Sequence, residues 1–342
     1  MAVGGTLERD TILEVSQLQV SLFTRRGVLP AVDGLSLTVK AGETVAIVGE
    51  SGCGKSLTAL ALMQLLPWPP AKIVGGTVRF MGRELTSLSD RAMRRVRGKD
   101  ISMIFQDPMT SLNPVVAVGD QLIEAIQWHN GVSRHEAHAR AVELLRQVRI
   151  PDAERRLNDF PHQMSGGMSQ RVMIAMAIAC GPKLLIADEP TTALDVTIQA
   201  QILALLKELQ AKSSMGLIII THDLGVVAET ADRVVVMYAG RKVEEAPVEA
   251  LFERPLHRYT RGLLGATPSA TRRRGTRLAE IGGSVPPLSE LPAGCAFQNR
   301  CADAFDRCRV ARPVLMPVLP GRTVACFAAE EELSRHAAAV GT

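Results

Sequence analysis

The run of residues from Gly49 to Ser56 constrains the fold more than any other part of this sequence. It fits the pattern G-x-x-x-x-G-K-[ST], in which backbone N–H groups at the start of a helix approach phosphates closely. The short apolar run Val45-Ala46-Ile47-Val48 before it is typical of a buried strand, and good helix formers follow from Leu57 to Met63. Strand, glycine-containing loop and helix are the context that the pattern requires. The sequence therefore predicts a phosphate-binding loop made of Gly49, Glu50, Ser51, Gly52, Cys53, Gly54, Lys55 and Ser56.

The residue types in this loop predict how it binds phosphate groups and Mg²⁺. A side chain at the glycine positions would obstruct the approach of the phosphates or forbid a positive φ angle. We expect Lys55 to reach the β- and γ-phosphates and the Ser56 hydroxyl to ligate Mg²⁺. The loop alone predicts nucleotide phosphate binding and leaves the use of the energy open.

Composition narrows the class of protein. A length of 342 residues suggests about two domains, or one large domain with an extension, and 46% hydrophobic residues allow a substantial core. A net charge of +4 is too small to indicate nucleic-acid binding. No apolar run approaches the roughly 18 residues needed to span a bilayer, and Met1–Asp10 lacks the apolar centre of a signal peptide. We therefore expect a cytoplasmic protein whose six cysteines do not form disulfides.

Periodicity predicts an α/β fold in which helices interrupt a nucleotide-binding core. Residues 14–48 alternate like strands, which predicts an amino-terminal antiparallel β region, whereas 118–128 and 135–148 have the spacing of amphipathic helices. After about residue 255, proline and glycine clusters predict irregular chain. The predicted division is a first part of the ATP-binding core at 1–106, an inserted α-helical subdomain at 107–178, a second part of the core at 179–254, and a small cysteine-rich carboxy-terminal extension at 255–342.

Polar residues follow three apolar runs that read as strands. Asp188 and Glu189 come after four apolar residues, Gln106 follows Ile104-Phe105, and His222 follows Thr221 at the end of another apolar run. Ligands bind at the carboxyl ends of strands in α/β sheets, which favours catalytic roles for these side chains. The alternatives are surface charge for Glu189, a backbone hydrogen bond for Gln106 and a structural histidine at His222.

In content and order these motifs resemble the ATP-binding cassette (ABC) family of P-loop NTPases. The run from His162 to Arg171, which contains Ser165-Gly166-Gly167, is similar to the ABC signature. The runs Ile104–Pro114 and Ala187–Asp195 resemble the ATPases of dipeptide and oligopeptide importers, most closely their D-type subunits. The resemblance extends over nearly the whole chain and implies an ABC-type core.

The resemblance implies catalytic roles for individual residues. Asp188 would hold Mg²⁺, and Glu189 would be the general base that activates the attacking water. His222 would contact the γ-phosphate and hold Glu189 in line. Gln106 would sense the γ-phosphate and Mg²⁺ and couple them to the membrane subunits.

It also implies nucleotide contacts outside the phosphate loop. Phe23 would stack on adenine, the Leu57 backbone N–H would serve the α-phosphate, and Thr58 would supply a nearby hydroxyl. Asp195 would lie at a dimer interface. The γ-phosphate of the partner cassette's ATP would be bound by Ser165, Gly166 and Gly167.

The function implied by the resemblance is ATP hydrolysis that drives uptake of di- and oligopeptides. The implied partners are a second ABC ATPase in a heterodimer, two integral-membrane permeases and an extracytoplasmic peptide-binding protein, with no nucleic acid. The chain would be peripheral at the cytoplasmic face of the membrane. An importer of nickel or another small solute, and a soluble ABC ATPase without a transport role, are the alternatives.

Four of the cysteines fall near the carboxy terminus with the spacing C-x5-C-x6-C-x17-C; they are Cys295, Cys301, Cys308 and Cys326. This spacing matches neither common zinc sites nor bacterial ferredoxins. Four thiols in a short proline-rich segment favour a metal site over unrelated buried thiols. The resemblance to the peptide-importer ATPases favours a [4Fe-4S] cluster, with Zn²⁺ as the alternative.

Overall fold

The computed structural model describes residues 10–25, 27–192, 194–266 and 280–340. The amino-terminal stretch on which the expectation about a signal peptide depends lies, except for Asp10, outside these ranges. No helix within the described ranges is long and apolar enough to cross a membrane.

The strands are β1 (Thr11–Thr24), β2 (Gly27–Lys40), β3 (Thr44–Val48), β4 (Ala71–Phe80), β5 (Arg83–Glu84), β6 (Ile101–Ile104), β7 (Leu184–Asp188), β8 (Gly216–Thr221), β9 (Arg233–Tyr238), β10 (Arg241–Pro247), β11 (Met316–Leu319) and β12 (Arg322–Val324). The helices are α1 (Lys55–Leu62), α2 (Asp90–Val96), α3 (Pro108–Ser111), α4 (Val118–Asn130), α5 (Arg134–Gln147), α6 (Ala153–Arg156), α7 (Gly166–Ile178), α8 (Val196–Ser213), α9 (Leu224–Thr230), α10 (Val248–Glu253), α11 (Arg258–Ala266), α12 (Asp306–Val310) and α13 (Phe327–Val340).

The described chain divides into two compact units. Unit 1 contains residues 10–14, 38–44, 78–192 and 194–220. Unit 2 contains residues 15–25, 27–37, 45–77, 221–266 and 280–340. The four-part division that the sequence predicts stays a prediction.

Unit 1 contains parallel strands in the order β8-β7-β6. Leu184 pairs with Ile101 on one side and with Gly216 on the other. Every residue of β7 is buried, as expected for a parallel strand covered on both faces, and this explains its apolar run. The strand predicted at 184–189 is confirmed, and its carboxyl end carries Asp188.

Helices of unit 1 pack around one apolar core. Side chains from α4, α5 and α7, including Leu122, Leu145 and Ile174, are fully buried in it. The end of α4 is set by Gly131, whose left-handed φ of 67° few other residues adopt, and α5 begins with a capping box between Ser133 and Glu136. The two amphipathic helices predicted from the sequence are therefore confirmed.

Unit 2 contains a mixed sheet in the order β11-β12-β10-β9-β3. Strands β3 and β9 run parallel, with Val45 opposite Arg233, whereas β10 runs antiparallel to both β9 and β12. In the same unit β2, β1 and β4 are neighbours in a second sheet. The buried β3 leads directly into the phosphate loop, as the sequence predicts.

The carboxy-terminal part contains regular elements that the sequence does not predict, beside irregular chain that it does. Where the structure describes them, the proline and glycine clusters after residue 255 lie in mostly irregular chain, as predicted. Helix α11 is regular, and β12 joins the sheet with Val324 opposite Glu244 of β10. Glu244 is fully buried and accepts hydrogen bonds from the backbone N–H groups of Leu256 (2.9 Å) and His257 (2.8 Å). A strand of three residues is too short for periodicity to reveal, so the sequence missed it.

Candidate nucleotide-binding and catalytic residues

The conformation of the phosphate loop depends on glycine. Gly54 has a φ of +101°, and a Cβ atom there would lie 2.5 Å from the carbonyl oxygen of Ala31. A Cβ atom at Gly49 would lie 2.3 Å from the carbonyl oxygen of Met237. These two positions therefore exclude every side chain, so the conformation of the loop depends on glycine at both.

Lys55 begins α1 and is almost fully buried. Its Nζ donates to the carbonyl oxygens of Gly49, at 2.7 Å, and Glu50, at 3.1 Å. The ammonium is thus folded over the loop that precedes it. A buried cation at a helix N-terminus is chemically suited to a polyphosphate.

The other predicted loop contacts are near the start of α1. Ser56 and Leu57 lie in its first turn, half-buried, while Thr58 is fully buried. The Thr58 hydroxyl donates to the carbonyl oxygen of Gly54 at 2.9 Å, so it stabilises the first turn. Burial raises the pKa of the Cys53 thiol, which favours a neutral side chain inside the loop. Phosphate contacts by Leu57 and Thr58 remain predictions.

Two of the three predicted catalytic residues are in direct contact in unit 1. Gln106 Nε2 donates to Glu189 Oε2 at 3.0 Å, and the Thr192 hydroxyl donates to the same oxygen at 2.9 Å. Asp188 before Glu189 is buried at the end of β7. Glu189 has a φ of +47°, a left-handed conformation that costs energy for a residue with a side chain. The two donors together hold this carboxylate in one orientation.

His222 follows the last residue of β8 and is exposed. The next residue, Asp223, caps α9 by accepting the Gly225 N–H at 2.8 Å, and its own N–H donates to the Thr221 hydroxyl at 3.0 Å. The backbone on both sides of His222 is therefore well fixed. Its catalytic role stays a prediction.

The predicted signature residues lie at a helix N-terminus. Ser165 caps α7 by accepting the Met168 N–H at 3.3 Å, and Gly166 and Gly167 form the first turn. Asp195 caps α8 in the same way through Ile198 N–H at 3.0 Å. A Cβ atom at Gly167 would come within 3.1 Å of an Ile198 methyl group, so the start of α7 packs tightly against α8.

Phe23, the predicted adenine-stacking residue, belongs to an aromatic pair. Its ring lies edge-on to Trp68, with the centroids 5.6 Å apart, and both rings are exposed. Exposed paired rings offer a face for stacking on a purine base. Trp68 is a member of the pair that sequence reasoning missed, although its Pro-Trp-Pro-Pro context marks an exposed turn.

A cavity of about 490 Å³ in unit 2 does not coincide with the phosphate loop. Tyr238, Lys242, His257 and Phe297 contribute to its lining, whereas Lys55 and Ser56 do not. Loop conformation and charge therefore identify the phosphate-binding residues, and cavity size does not.

The prediction of an iron–sulfur cluster or zinc at Cys295, Cys301, Cys308 and Cys326 is wrong. All four are described as free thiols, and among the described residues no group of three or more His, Cys, Asp or Glu side chains is arranged to hold a metal ion. The void that the four thiols line is about 10 Å³, room for roughly one water. Burial raises the pKa of Cys295 to about 11 and also raises the pKa of Cys301 and Cys326, so these side chains are neutral thiols near neutral pH.

The α/β fold, the phosphate loop before α1, the Asp-Glu pair at the end of a buried parallel strand and the signature residues Ser165-Gly166-Gly167 at the start of α7 together characterise an ABC ATPase. A solved dimeric bacterial ABC transporter cassette is similar with a TM-score of 0.62 and 28% identity, over 69% of this chain and 99% of that one. A component of an ABC transporter complex from Clostridium perfringens is similar with a TM-score of 0.61 and 28% identity, over 72% and 92% of the two chains.

Sequence comparison assigns the family. Residues 32–192 match the ABC transporter family, and residues 243–308 match the oligopeptide/dipeptide transporter C-terminal region. A probable peptide ABC transporter ATP-binding protein of Sinorhizobium fredii is 56% identical over 94% of this chain and 96% of its own length. The oligopeptide transport ATP-binding protein AppD of Bacillus subtilis is 50% identical (94% and 98%), and the dipeptide transport ATP-binding protein DppD of Escherichia coli is 50% identical (92% and 96%). The chain belongs to the oligopeptide/dipeptide transporter family of ABC ATPases.

Two residues that sequence reasoning missed contact a predicted loop residue directly, although they are far from it in the sequence. Arg300 and Tyr259 both contact Glu50 inside the phosphate loop, across 250 and 209 residues of sequence. Thr192 is within a recognised motif but carried no predicted role. No local pattern marks one arginine or one tyrosine for such contacts, because only the fold brings them to the loop.

Proposed function

We propose that this chain hydrolyses ATP to drive the uptake of di- and oligopeptides. The observation that carries the proposal is the phosphate loop, in which Gly49 and Gly54 adopt positive φ angles where no side chain fits and Lys55 is buried against the loop. Membership of the oligopeptide/dipeptide transporter family supports peptides as the transported solute. The relatives named above are peptide, oligopeptide and dipeptide transport proteins, and this chain matches each of them over nearly its whole length.

The proposed chemistry is in-line attack of water on the γ-phosphate. Glu189 orients the water and takes its proton, and the donors Gln106 and Thr192 hold the carboxylate for this task. Lys55 and the loop N–H groups bind the phosphate oxygens, where negative charge develops in the transition state. His222 contacts the γ-phosphate.

The donor types fit Mg²⁺. Ser56 offers a hydroxyl, Asp188 a buried carboxylate, and Gln106 an amide oxygen that lies outside the bond its nitrogen donates to Glu189. All are hard oxygen ligands of the kind that Mg²⁺ prefers. When bound, the ion neutralises charge on the phosphates and leaves the proton transfer to Glu189.

We further propose that two cassettes act as a pair. Ser165, Gly166 and Gly167 present a helix N-terminus to the γ-phosphate held by the partner cassette, and Asp195 lies at that interface. The partner is a second ATPase subunit, and the pair associates with two permeases at the cytoplasmic face of the membrane; peptides arrive through an extracytoplasmic binding protein. Residues 255–342, with their four cysteines, form a carboxy-terminal extension of the cassette.

The test separates ATP chemistry from transport. Glu189→Gln keeps the size of the side chain and removes the base, so we expect retained ATP binding and loss of multiple-turnover hydrolysis. Phosphate release and equilibrium ATP binding are measured on the purified chain, with Glu143→Gln, an exposed acidic residue of α5, as the control. Undiminished turnover in Glu189→Gln would reject Glu189 as the base.

Transport is tested in cells that lack this chain. Expression of the wild type should restore uptake of a labelled dipeptide, whereas Glu189→Gln should not. Restored nickel uptake without peptide uptake would replace peptides with a metal ion as the solute. Restoration of neither, together with active ATP hydrolysis, would favour a role outside transport.

A further inference from the structure

The carboxylate of Glu50, inside the phosphate loop, is paired with Arg300 near the carboxy terminus. Arg300 Nη1 donates to Oε2 at 2.6 Å and Nη2 to Oε1 at 2.8 Å. The Arg300 side chain is 5% exposed, and that of Glu50 is 30% exposed. Two parallel charge-assisted hydrogen bonds at such burial fix both the position and the charge of the loop residue.

Arg300 is itself held in place by its surroundings in unit 2. Its Nε donates to the carbonyl oxygen of Gly282 at 2.9 Å, and its guanidinium lies 5.9 Å from the ring centres of both Tyr238 and Phe297. A guanidinium that is stacked and hydrogen-bonded loses little further freedom when it binds a carboxylate. The Arg300 side chain is therefore already held in the orientation in which it binds the Glu50 carboxylate.

A second carboxy-terminal residue holds the backbone of the same loop position. The hydroxyl oxygen of Tyr259 accepts the Glu50 N–H at 2.8 Å. Tyr259 is fully buried, with its ring 4.7 Å from that of Tyr238 and 5.4 Å from that of Phe297. One aromatic cluster thus supports both contacts to Glu50.

The residues held by these contacts also bind Lys55, the lysine of the phosphate loop. The carbonyl oxygens of Gly49 and Glu50 accept the hydrogen bonds of Lys55 Nζ. The same two-residue stretch is held through its side chain by Arg300 and through its N–H by Tyr259. Arg300 also neutralises a carboxylate in a loop that must attract a polyphosphate, and an unpaired Glu50 would repel that ligand.

We infer that Arg300 and Tyr259 are positioning residues for the phosphate loop, so that the carboxy-terminal region sets the affinity of this site for ATP. The inference rests on the proposed function, because it requires that the loop binds ATP. It gives the region matched by the oligopeptide/dipeptide transporter C-terminal family a role in nucleotide binding. Neither residue touches the reacting atoms; both act through Glu50.

The test is a set of equilibrium measurements of ATP binding to the full-length chain, with Mg²⁺, by titration calorimetry. We expect Arg300→Met to raise the Kd for ATP at least tenfold, because Glu50 loses its counter-charge. Combining Arg300→Met with Glu50→Gln removes the unpaired charge, so the double variant should bind ATP more tightly than Arg300→Met alone. Arg309→Met, at an exposed arginine of α12, is the control and should leave the Kd unchanged.

The outcomes are distinguishable. A purely structural role for Arg300 would predict that the double variant binds no better than the single variant, and that result overturns the inference. Equal Kd values for Arg300→Met and the wild type also overturn it. If Arg300→Met does not fold, Arg300→Gln with and without Glu50→Gln provides the same comparison, because glutamine also removes the counter-charge. Absence of ATP binding by the folded wild type would instead reject the proposed function.

Discussion

At the scale of single residues, the site is prepared by holding a few side chains in place. Glu189 adopts a left-handed φ of +47° and receives two hydrogen bonds on one oxygen, from Gln106 and Thr192. A base that is already oriented loses little entropy when the water arrives. A residue inside a motif that carried no predicted role can therefore matter as much as the predicted catalytic residues, and Thr192 is such a residue.

We predict that Thr192→Val lowers kcat. A hydrogen bond to a charged group contributes about 1.5–3 kcal/mol, so its loss should reduce kcat about tenfold to hundredfold while the Kd for ATP changes little. Thr192→Ser keeps the hydroxyl and should retain most activity. Steady-state ATPase kinetics measure both variants, and equal losses in the valine and serine variants would contradict the role of the hydroxyl.

At the scale of elements, the carboxy-terminal strand is attached to the sheet by a buried charge. Glu244 of β10 is fully buried, and Arg322 of β12 donates to it at 3.2 Å and to the Arg254 carbonyl oxygen at 2.6 Å. The backbone N–H groups of Leu256 and His257 also donate hydrogen bonds to the Glu244 carboxylate. A three-residue strand has few ladder hydrogen bonds, so this network is a major part of what keeps β12 in register.

We predict that Arg322→Met destabilises the protein by about 3 kcal/mol, because it leaves a buried carboxylate without its counter-charge. The measurement is the free energy of unfolding in urea. The exposed Arg309 offers a matched control, and Arg309→Met should change stability by no more than about 0.5 kcal/mol. Similar small changes in both variants would show that the backbone donors alone satisfy Glu244.

At the scale of the whole molecule, a buried histidine makes stability depend on pH. Burial first, and the nearby Arg258 charge second, lower the pKa of His257 to about 3. Its Nδ1 accepts the Tyr259 N–H at 3.0 Å, which requires a neutral ring at that atom. In the unfolded chain the pKa is about 6.5, so the unfolded state binds the extra proton first as the pH falls.

The sign follows from these two pKa values. The contribution of His257 to stability is complete above about pH 6.5 and is lost progressively toward pH 3. Between pH 6 and 5 the wild type should therefore lose about 1 kcal/mol more unfolding free energy than His257→Gln. His138→Gln, at an exposed histidine of α5, should follow the wild-type curve. Parallel curves for the wild type and His257→Gln would contradict the assignment.

The sequence by itself determined the features that are local in the chain. The phosphate loop, the buried strand β3 before it and the acids at the end of β7 each occupy a few consecutive residues. Spacing of glycine, lysine and apolar residues is enough to specify them, because backbone conformation and side-chain alternation are short-range properties. The amphipathic helices α4 and α5 were predictable for the same reason.

Only the tertiary structure decided what distant residues do to that loop. Arg300 and Tyr259 meet Glu50 because both pack with Tyr238 and Phe297 beside the loop, and no local pattern distinguishes Arg300 from other arginines of the chain. The four cysteines show the opposite: the sequence predicted a metal site there, and the structure does not contain one among the described residues. Their clustering in a short proline-rich segment favoured a metal, but the void that they line is only about 10 Å³, and no metal-holding group occurs in the part of the chain that the structure describes. Charge pairing and burial depend on the surroundings in space, and a linear pattern does not contain them.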